Sequence, residues 1–304
     1  MAKFYAHGKL LLTGEYAVLD GSRCLALPTK QGQRMTIKAT RSTDLEWKSY
    51  DHNGNEWFSS SISLYDFSAT ETTNEALSQK LKSILKGAVR LNCEFLDKWN
   101  AFKIETHLEF PLDWGLGSSS TLINLIAQWA EIEPLELYFK VENGSGYDVA
   151  AAGAKGPIIY WCTEDEISYT PIDFKPAYKD KLCFVHLNAK AKSEDEVKKY
   201  LSSVKDKKNF VKKIDEITEQ VADVPSLDVF SNLMVEHESI VKHHTGFTPV
   251  KEKLFSDYPH ALKSLGAWGG DFMLAIAPGG LGEAKEYFNK KGYQTVLPYQ
   301  DIII

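Results

Sequence analysis

The sequence predicts an α+β fold, and three observations predict it. The first third breaks into short β-rich runs separated by glycine or polar turns. The middle carries an apolar helical stretch opened by glycines and hydroxyls, "PLDWGLGSSSTLINLIAQWA". Beyond it, strand-like and helix-like segments follow one another without the regular alternation of a βαβ series.

Taken in order, "KFYAH", "KLLLTG", "QRMTIKAT" and "DLEWKSYD" read as strands. "DHNGNEWF" places an Asn-Gly pair between two such runs, a hairpin signal. Residues 74–91 repeat apolar side chains at helical spacing: Leu77, Leu81, Ile84, Leu85, Ala88. "AFKIETHLEF" alternates as a strand, with Phe102, Ile104, Thr106 and Leu108 on one side. In the following helix Leu122, Leu125, Ile126 and Trp129 share one face, and Ile123, Ala127 and Ala130 cover another, so it should be buried nearly all round. "EPLELYFKV" predicts a short helix, "NGSGYDVAAAGAKGP" a glycine-rich turn, and "PIIYW" and "KLCFVHL" strands. From Ser193 to about Tyr258 the pattern is helical. Within it "EHESIVKHH" has Val241 where H-E-x-x-H needs its second histidine, and reads as an exposed helix face rather than a zinc site. "DFMLAIAP", "GEAKEYFNKKG" and "YQTVLP" then predict strand, helix and strand.

The composition is that of an ordinary globular chain, with 43% hydrophobic and 25% charged residues. A net charge of −6 argues against a nucleic-acid partner, which calls for a basic face. No apolar run reaches spanning length, so no membrane partner is expected. The N-terminal segment lacks the apolar core of a secretory signal. Cys24, Cys93, Cys162 and Cys183 are widely spaced and read as reduced thiols, and the expected location is cytoplasmic.

The hydroxyl-rich stretch carries the chemistry. A helix N-terminus presents unpaired amides and the positive end of the helix dipole, and both suit phosphate oxygens. Gly115 and Gly117 would let the backbone wrap an anion, while Ser118, Ser119 and Ser120 add hydroxyls, one of which could hold Mg²⁺. A plain serine cap on a core helix is the alternative. Two glycines and four hydroxyls exceed what a cap requires. The stretch is neither a Walker A loop nor a Rossmann fingerprint.

Two further segments complete a pattern. "AHGKLLLTGEYAVLDG" (6–21), "PLDWGLGSSS" (111–120) and "LGAWGGDFMLA" (265–275) resemble, in order and spacing, the three motifs of the GHMP kinases. That superfamily includes galactokinase, homoserine kinase, mevalonate kinase and phosphomevalonate kinase. "GSGYDVAAA" resembles the catalytic-aspartate segment of mevalonate and especially phosphomevalonate kinases. It also resembles that of a small bacterial GHMP group named for a G-Y-D-I-A segment. The resemblance implies a two-domain GHMP kinase fold. Residues 1–160 would form a ribosomal-protein-like α+β domain with the phosphate loop, and 161–304 a ferredoxin-like α+β domain.

The resemblance also implies roles. Lys9 would stand near the transferred phosphate, and Asp148 would accept or orient the acceptor's proton, its charge kept by Lys9. Gly115, Leu116, Gly117, Ser118, Ser119 and Ser120 would cradle the phosphates of ATP, assisted by Gly269 and Gly270. Ser119 would ligate Mg²⁺, with Glu142 a stand-in for the glutamate many relatives use. Glu15, Tyr16, Tyr147 and Lys190 would contact substrate. Trp268 stands where relatives carry glycine, so its loop is expected to be reshaped or to pack on the nucleotide. The implied activity is an ATP- and Mg²⁺-dependent small-molecule kinase of the mevalonate and phosphomevalonate branch. A sugar kinase is the runner-up, and a non-catalytic metabolite sensor the rival from another class. The expected partner is a small-molecule substrate; a homodimer is left open.

Overall fold

The computed structural model describes residues 1–96, 101–189, 193–204, 206–223, 226–266, 268 and 271–304. They form two compact units. The first comprises residues 1–8, 31–112 and 116–153; the second comprises 9–30, 113–115 and 154–304. Two long strands run through both: β1 (Ala2–Thr13) and its partner β2 (Cys24–Ala39).

In the first unit, β2 pairs antiparallel with β6 (Phe102–Leu108), Gln33 opposite Leu108 and Ala39 opposite Phe102. β3 (Asp44–Tyr50) runs parallel to β6 and antiparallel to β4 (Glu56–Ser63), which pairs in turn with β5 (Ala69–Thr72). The hairpin turn is built by Asp51, whose side chain accepts from the Asn53 and Asn55 amides. Alternation then decides which face is buried: Leu45, Trp47 and Ser49 point inward from β3, and Ile104, Thr106 and Leu108 from β6.

Four helices supply the other half of this core: α1 (Glu75–Leu91), α2 (Ser118–Ala130), α3 (Pro134–Val141) and α4 (Tyr147–Gly153). α1 starts where Asn74 caps the Leu77 amide at 3.2 Å, and it buries Leu81, Ile84, Leu85 and Ala88. α2 buries Ile123, Leu125, Ile126 and Ala127 in the same cluster as Trp47, Phe58 and Ile104. Removing a side chain such as Leu125 from that cluster would cost about 2–5 kcal/mol, the transfer term plus the cavity left behind.

In the second unit, the N-terminal part of β2 pairs with β7 (Ile158–Cys162), which pairs with β8 (Ile167–Pro171). A separate four-stranded sheet has the order β10-β11-β9-β12, from β9 (Leu182–His186), β10 (Leu262–Ser264), β11 (Phe272–Ile276) and β12 (Val296–Pro298). Its pairs are antiparallel throughout. The helices are α5 (Ser193–Ser203), α6 (Lys207–Ala222), α7 (Leu227–Thr245), α8 (Val250–Leu254), α9 (Leu281–Lys290) and α10 (Tyr299–Ile302). α8 and α9 help bury Val185, Met273 and Ala275 beneath Phe255 and Phe288.

The sequence reading changes in four places. "KFYAH" and "KLLLTG" are one continuous strand, β1. β2 begins well before "QRMTIKAT" and runs through Pro28. "GSGYDVAAAGAKGP" contains α4, because Val149, Ala150, Ala151 and Ala152 bury a compact face against α2. "EHESIVKHH" is not an exposed face: His237, Glu238, Val241 and His244 are all buried.

Candidate functional site

In the first unit, the start of α2 has no side-chain cap. Gly117 occupies the cap position with φ 92, a left-handed conformation that glycine reaches without the penalty of a Cβ. The first helical bond runs from the Thr121 amide to the Gly117 carbonyl at 2.9 Å. The amides of Ser118, Ser119 and Ser120 precede it and have no partner within the helix.

The four hydroxyls divide into two kinds. Ser120 Oγ donates back to the Gly117 carbonyl at 2.9 Å and is buried. Thr121 Oγ1 donates to Gln33 Oε1 at 2.6 Å and lies 3.0 Å from the Ser118 carbonyl. Those two hydroxyls tie the helix end to itself and to β2. Ser118 and Ser119 are half-buried, and among the described residues their hydroxyls make no hydrogen bond. The helix end thus joins unspent amides to two available hydroxyls, a donor set suited to an anion. Leu116 is fully buried and anchors the turn.

α4 packs on α2. Asn124 Nδ2 donates to the Val149 carbonyl at 3.1 Å, and Gly153 lies against the same amide. Asn124 is about one and a half turns beyond Ser119, so the contact sets the first turn of α4 near the serine end. That turn holds Tyr147 and Asp148, both half-buried. Asp148 Oδ1 accepts from the Val149 amide at 3.0 Å, which orients the carboxylate at the helix start. Glu142, at the end of α3, is paired with Lys80 at 2.9 Å. Among the described residues, no group of three or more His, Cys, Asp or Glu side chains could hold a metal ion.

In the second unit, Lys9 extends from β1 and its Nζ donates to the Gly115 carbonyl at 3.0 Å. Gly115 has φ 63, and its Cα is covered by the Asp271 carboxyl. A Cβ at this position would lie 2.0 Å from Asp271 Oδ2, so any larger residue would have to displace that carboxyl as well as hold φ 63. Sequence reasoning did not single out Asp271, although it closes the "WGGD" run of the third motif.

Glu15 and Tyr16 are placed away from solvent. Glu15 is fully buried, with Oε1 2.5 Å from Lys263 Nζ and Oε2 3.2 Å from His237 Nε2. Lys263 also lies 3.3 Å from Glu238, whose other oxygen accepts from Ser264 Oγ at 2.6 Å. Burial pushes the Glu15 carboxyl up to about 7, against the pull of Lys263. Burial raises Glu238 as well and holds His237 well below its ordinary range. Tyr16 stacks on Tyr200 and meets Phe247 edge-on.

Trp268 joins that aromatic cluster, 6% exposed, with Lys263 Nζ 5.8 Å from its ring. It adopts φ 52, a conformation costing a bulky residue about 1–2 kcal/mol, and burial of the indole offsets it. The side chain that replaces the family's glycine therefore packs into the protein's own interior. Gly269, Gly270 and Lys190 lie outside the described residues.

No family model and no curated protein matches the sequence. Solved structures do match, over nearly the whole chain. Mevalonate kinase from Methanococcus jannaschii superposes with a TM-score of 0.69 at 16% identity, covering 97% of this chain and 96% of that one. Streptococcus pneumoniae phosphomevalonate kinase, in complex with phosphomevalonate and AMPPNP, gives 0.69 at 18% identity, covering 96% of each. Lactococcus lactis galactokinase complexed with galactose gives 0.67 at 14%, covering 97% and 92%. These proteins are members of the superfamily whose three motifs the sequence resembles. The chain has the GHMP kinase fold.

Proposed function

We propose that the protein is an ATP-dependent small-molecule kinase that moves the γ-phosphoryl group to a hydroxyl or phosphate of its acceptor. One observation carries the reading: in this fold, a thirteen-residue helix begins with no side-chain cap, and among the described residues its first amides and the hydroxyls of Ser118 and Ser119 have no hydrogen-bond partner. That donor set fits a polyphosphate. Support for ATP comes from the phosphomevalonate kinase of the same fold, which holds AMPPNP.

The residues divide the work. The α2 amides and Ser118 would grip phosphate oxygens. Lys9, fixed by the Gly115 carbonyl, would offset charge developing on the transferred group. Asp148 would take or orient the acceptor's proton, provided the acceptor hydroxyl comes within hydrogen-bond reach. Mg²⁺ would neutralise phosphate charge when bound. Ser119 Oγ suits it, whereas Glu142 would first have to leave Lys80.

For the acceptor, we infer the mevalonate and phosphomevalonate class, since "GSGYDVAAA" resembles the catalytic-aspartate segment of those kinases. A sugar is the second choice. Turnover of ATP against mevalonate, phosphomevalonate, homoserine and sugars tests this. One acceptor should be phosphorylated, and Asp148→Asn should lower kcat by about 10²–10⁴-fold. Tight binding of a metabolite with no phosphorylation of any acceptor would instead mark a sensor.

A further inference from the structure

The segment 113–115 that leads into the phosphate-loop helix is held at each of its three residues by the second unit's four-stranded sheet or by β1. His186 Nε2 lies 3.2 Å from the Asp113 carbonyl. The Trp114 ring meets Phe272 edge-on and His186 at a tilt. Gly115 is bracketed by the Lys9 ammonium on its carbonyl and the Asp271 carboxyl over its Cα.

Asp271 is itself rigidly placed. Its amide donates to the Ala189 carbonyl at 2.7 Å, and its carbonyl accepts from the Leu187 amide at 2.7 Å. The next residue, Phe272, pairs with His186 across β9 and β11. The Asp271 backbone takes φ 50, which aspartate tolerates better than most residues. The result is a carboxyl delivered by a paired sheet end onto a residue whose carbonyl accepts from Lys9.

We propose that Asp271 is a positioning residue for phosphoryl transfer: by packing on Gly115 it holds the turn at 113–115 and the seat of the Lys9 ammonium. The proposal rests on the kinase reading above. It assigns Asp271 a role of shape, since the carboxyl acts by filling the space over Gly115. A misplaced loop or ammonium would then cost binding and rate together, because small displacements in such sites are expensive.

Asp271→Gly removes the side chain and accepts φ 50 without strain. It should weaken MgATP binding, read by calorimetry, by about tenfold or more. Asp271→Asn keeps the shape and loses only the charge, so binding should stay within about threefold of wild type. Gly115→Ala places a methyl on the Asp271 carboxyl and should bind worst. Adding Asp271→Gly to Gly115→Ala removes that collision, and the double variant should bind about tenfold better than Gly115→Ala alone. Thermal melts of each variant separate loss of fold from loss of site.

The same substitution at 271 thus harms the wild type and helps Gly115→Ala, a reversal that general destabilisation does not produce. Wild-type protein that binds MgATP, with Asp271→Gly unchanged or the double variant no better than Gly115→Ala, would overturn the role of Asp271 and leave the kinase reading intact. An Asp271→Asn variant as weak as Asp271→Gly would overturn the role of shape. Wild-type protein that binds no MgATP would overturn both.

Discussion

Glu15 and His237 face each other at 3.2 Å in the interior of the second unit, and one proton decides whether they attract. The Gly14 amide donates to His237 Nε2, so that nitrogen is an acceptor and the proton must sit on Glu15 for the contact to be favourable. The two groups then pull stability in opposite directions with pH. Glu15, raised to about 7 from its ordinary 4.5, binds a proton in the fold that the unfolded chain has released, so its contribution falls as pH rises between those values. His237, held neutral below its ordinary 6.5, binds its proton only when unfolded, so its contribution rises with pH up to that value. Glu238 and Lys263 line the same cluster and remain in every variant considered. Relative to wild type, Glu15→Gln should therefore gain stability as pH rises from about 4.5 to about 7, and His237→Gln should lose it, each with a limiting slope of about 1.4 kcal/mol per pH unit. Urea midpoints measured across that range check the signs, and parallel profiles for the three proteins would contradict the assignment of the proton. Glu15 was legible in the sequence as a motif residue but not as a buried one, because Lys263 and His237 join it from distant parts of the chain. His237 and Glu238 were misread for the same reason: polar residues and Lys242 share "EHESIVKHH" with them, and only tertiary packing tells the buried side of α7 from its wet side.

At the scale of elements, α2 shows how a sequence can announce a feature without apportioning it. The cluster of hydroxyls at its start was plain, as was the apolar body behind it. Which hydroxyls are spent depends on β2, since Gln33 takes the Thr121 hydroxyl and leaves Ser118 and Ser119 available. Two substitutions two residues apart should therefore separate. Thr121→Val strands the buried Gln33 side chain and should cost about 1–3 kcal/mol of stability while leaving MgATP affinity near wild type. Ser119→Ala, half-buried and without a hydrogen-bond partner among the described residues, should leave the melting temperature within about 1–2 °C and lower kcat/KM by about tenfold or more. Denaturant titration and steady-state kinetics on the pair check both halves, and equal effects on both readouts would contradict the division of the hydroxyls. Other elements were legible in proportion to their local signals. α1, with five apolar residues at helical spacing and an Asn cap, is found where its pattern placed it. α4 is short and rich in alanine, so its periodicity is weak, and it is a helix because its small residues fit closely against Asn124 and α2.

Across the whole molecule, three short motifs pointed to a fold that superposes on kinases at 14–18% identity. Identity that low shows a shared fold and nothing finer. It does not preserve the acceptor pocket, and galactokinase and the mevalonate kinases share this fold with different acceptors in their names. Within the second unit Lys9, Gly115 and Asp271 have a definite geometry, and within the first unit so does the start of α2. On the proposed reading, the uncapped helix end with its two serines would hold the polyphosphate of ATP. Calorimetric titration of the wild-type protein with MgATP tests it most directly. A saturable one-to-one association is expected, with a dissociation constant below about 1 mM, near the upper end of the range in which enzymes meet their substrates. Absence of any heat of association at millimolar nucleotide, from protein shown to be folded, would contradict it.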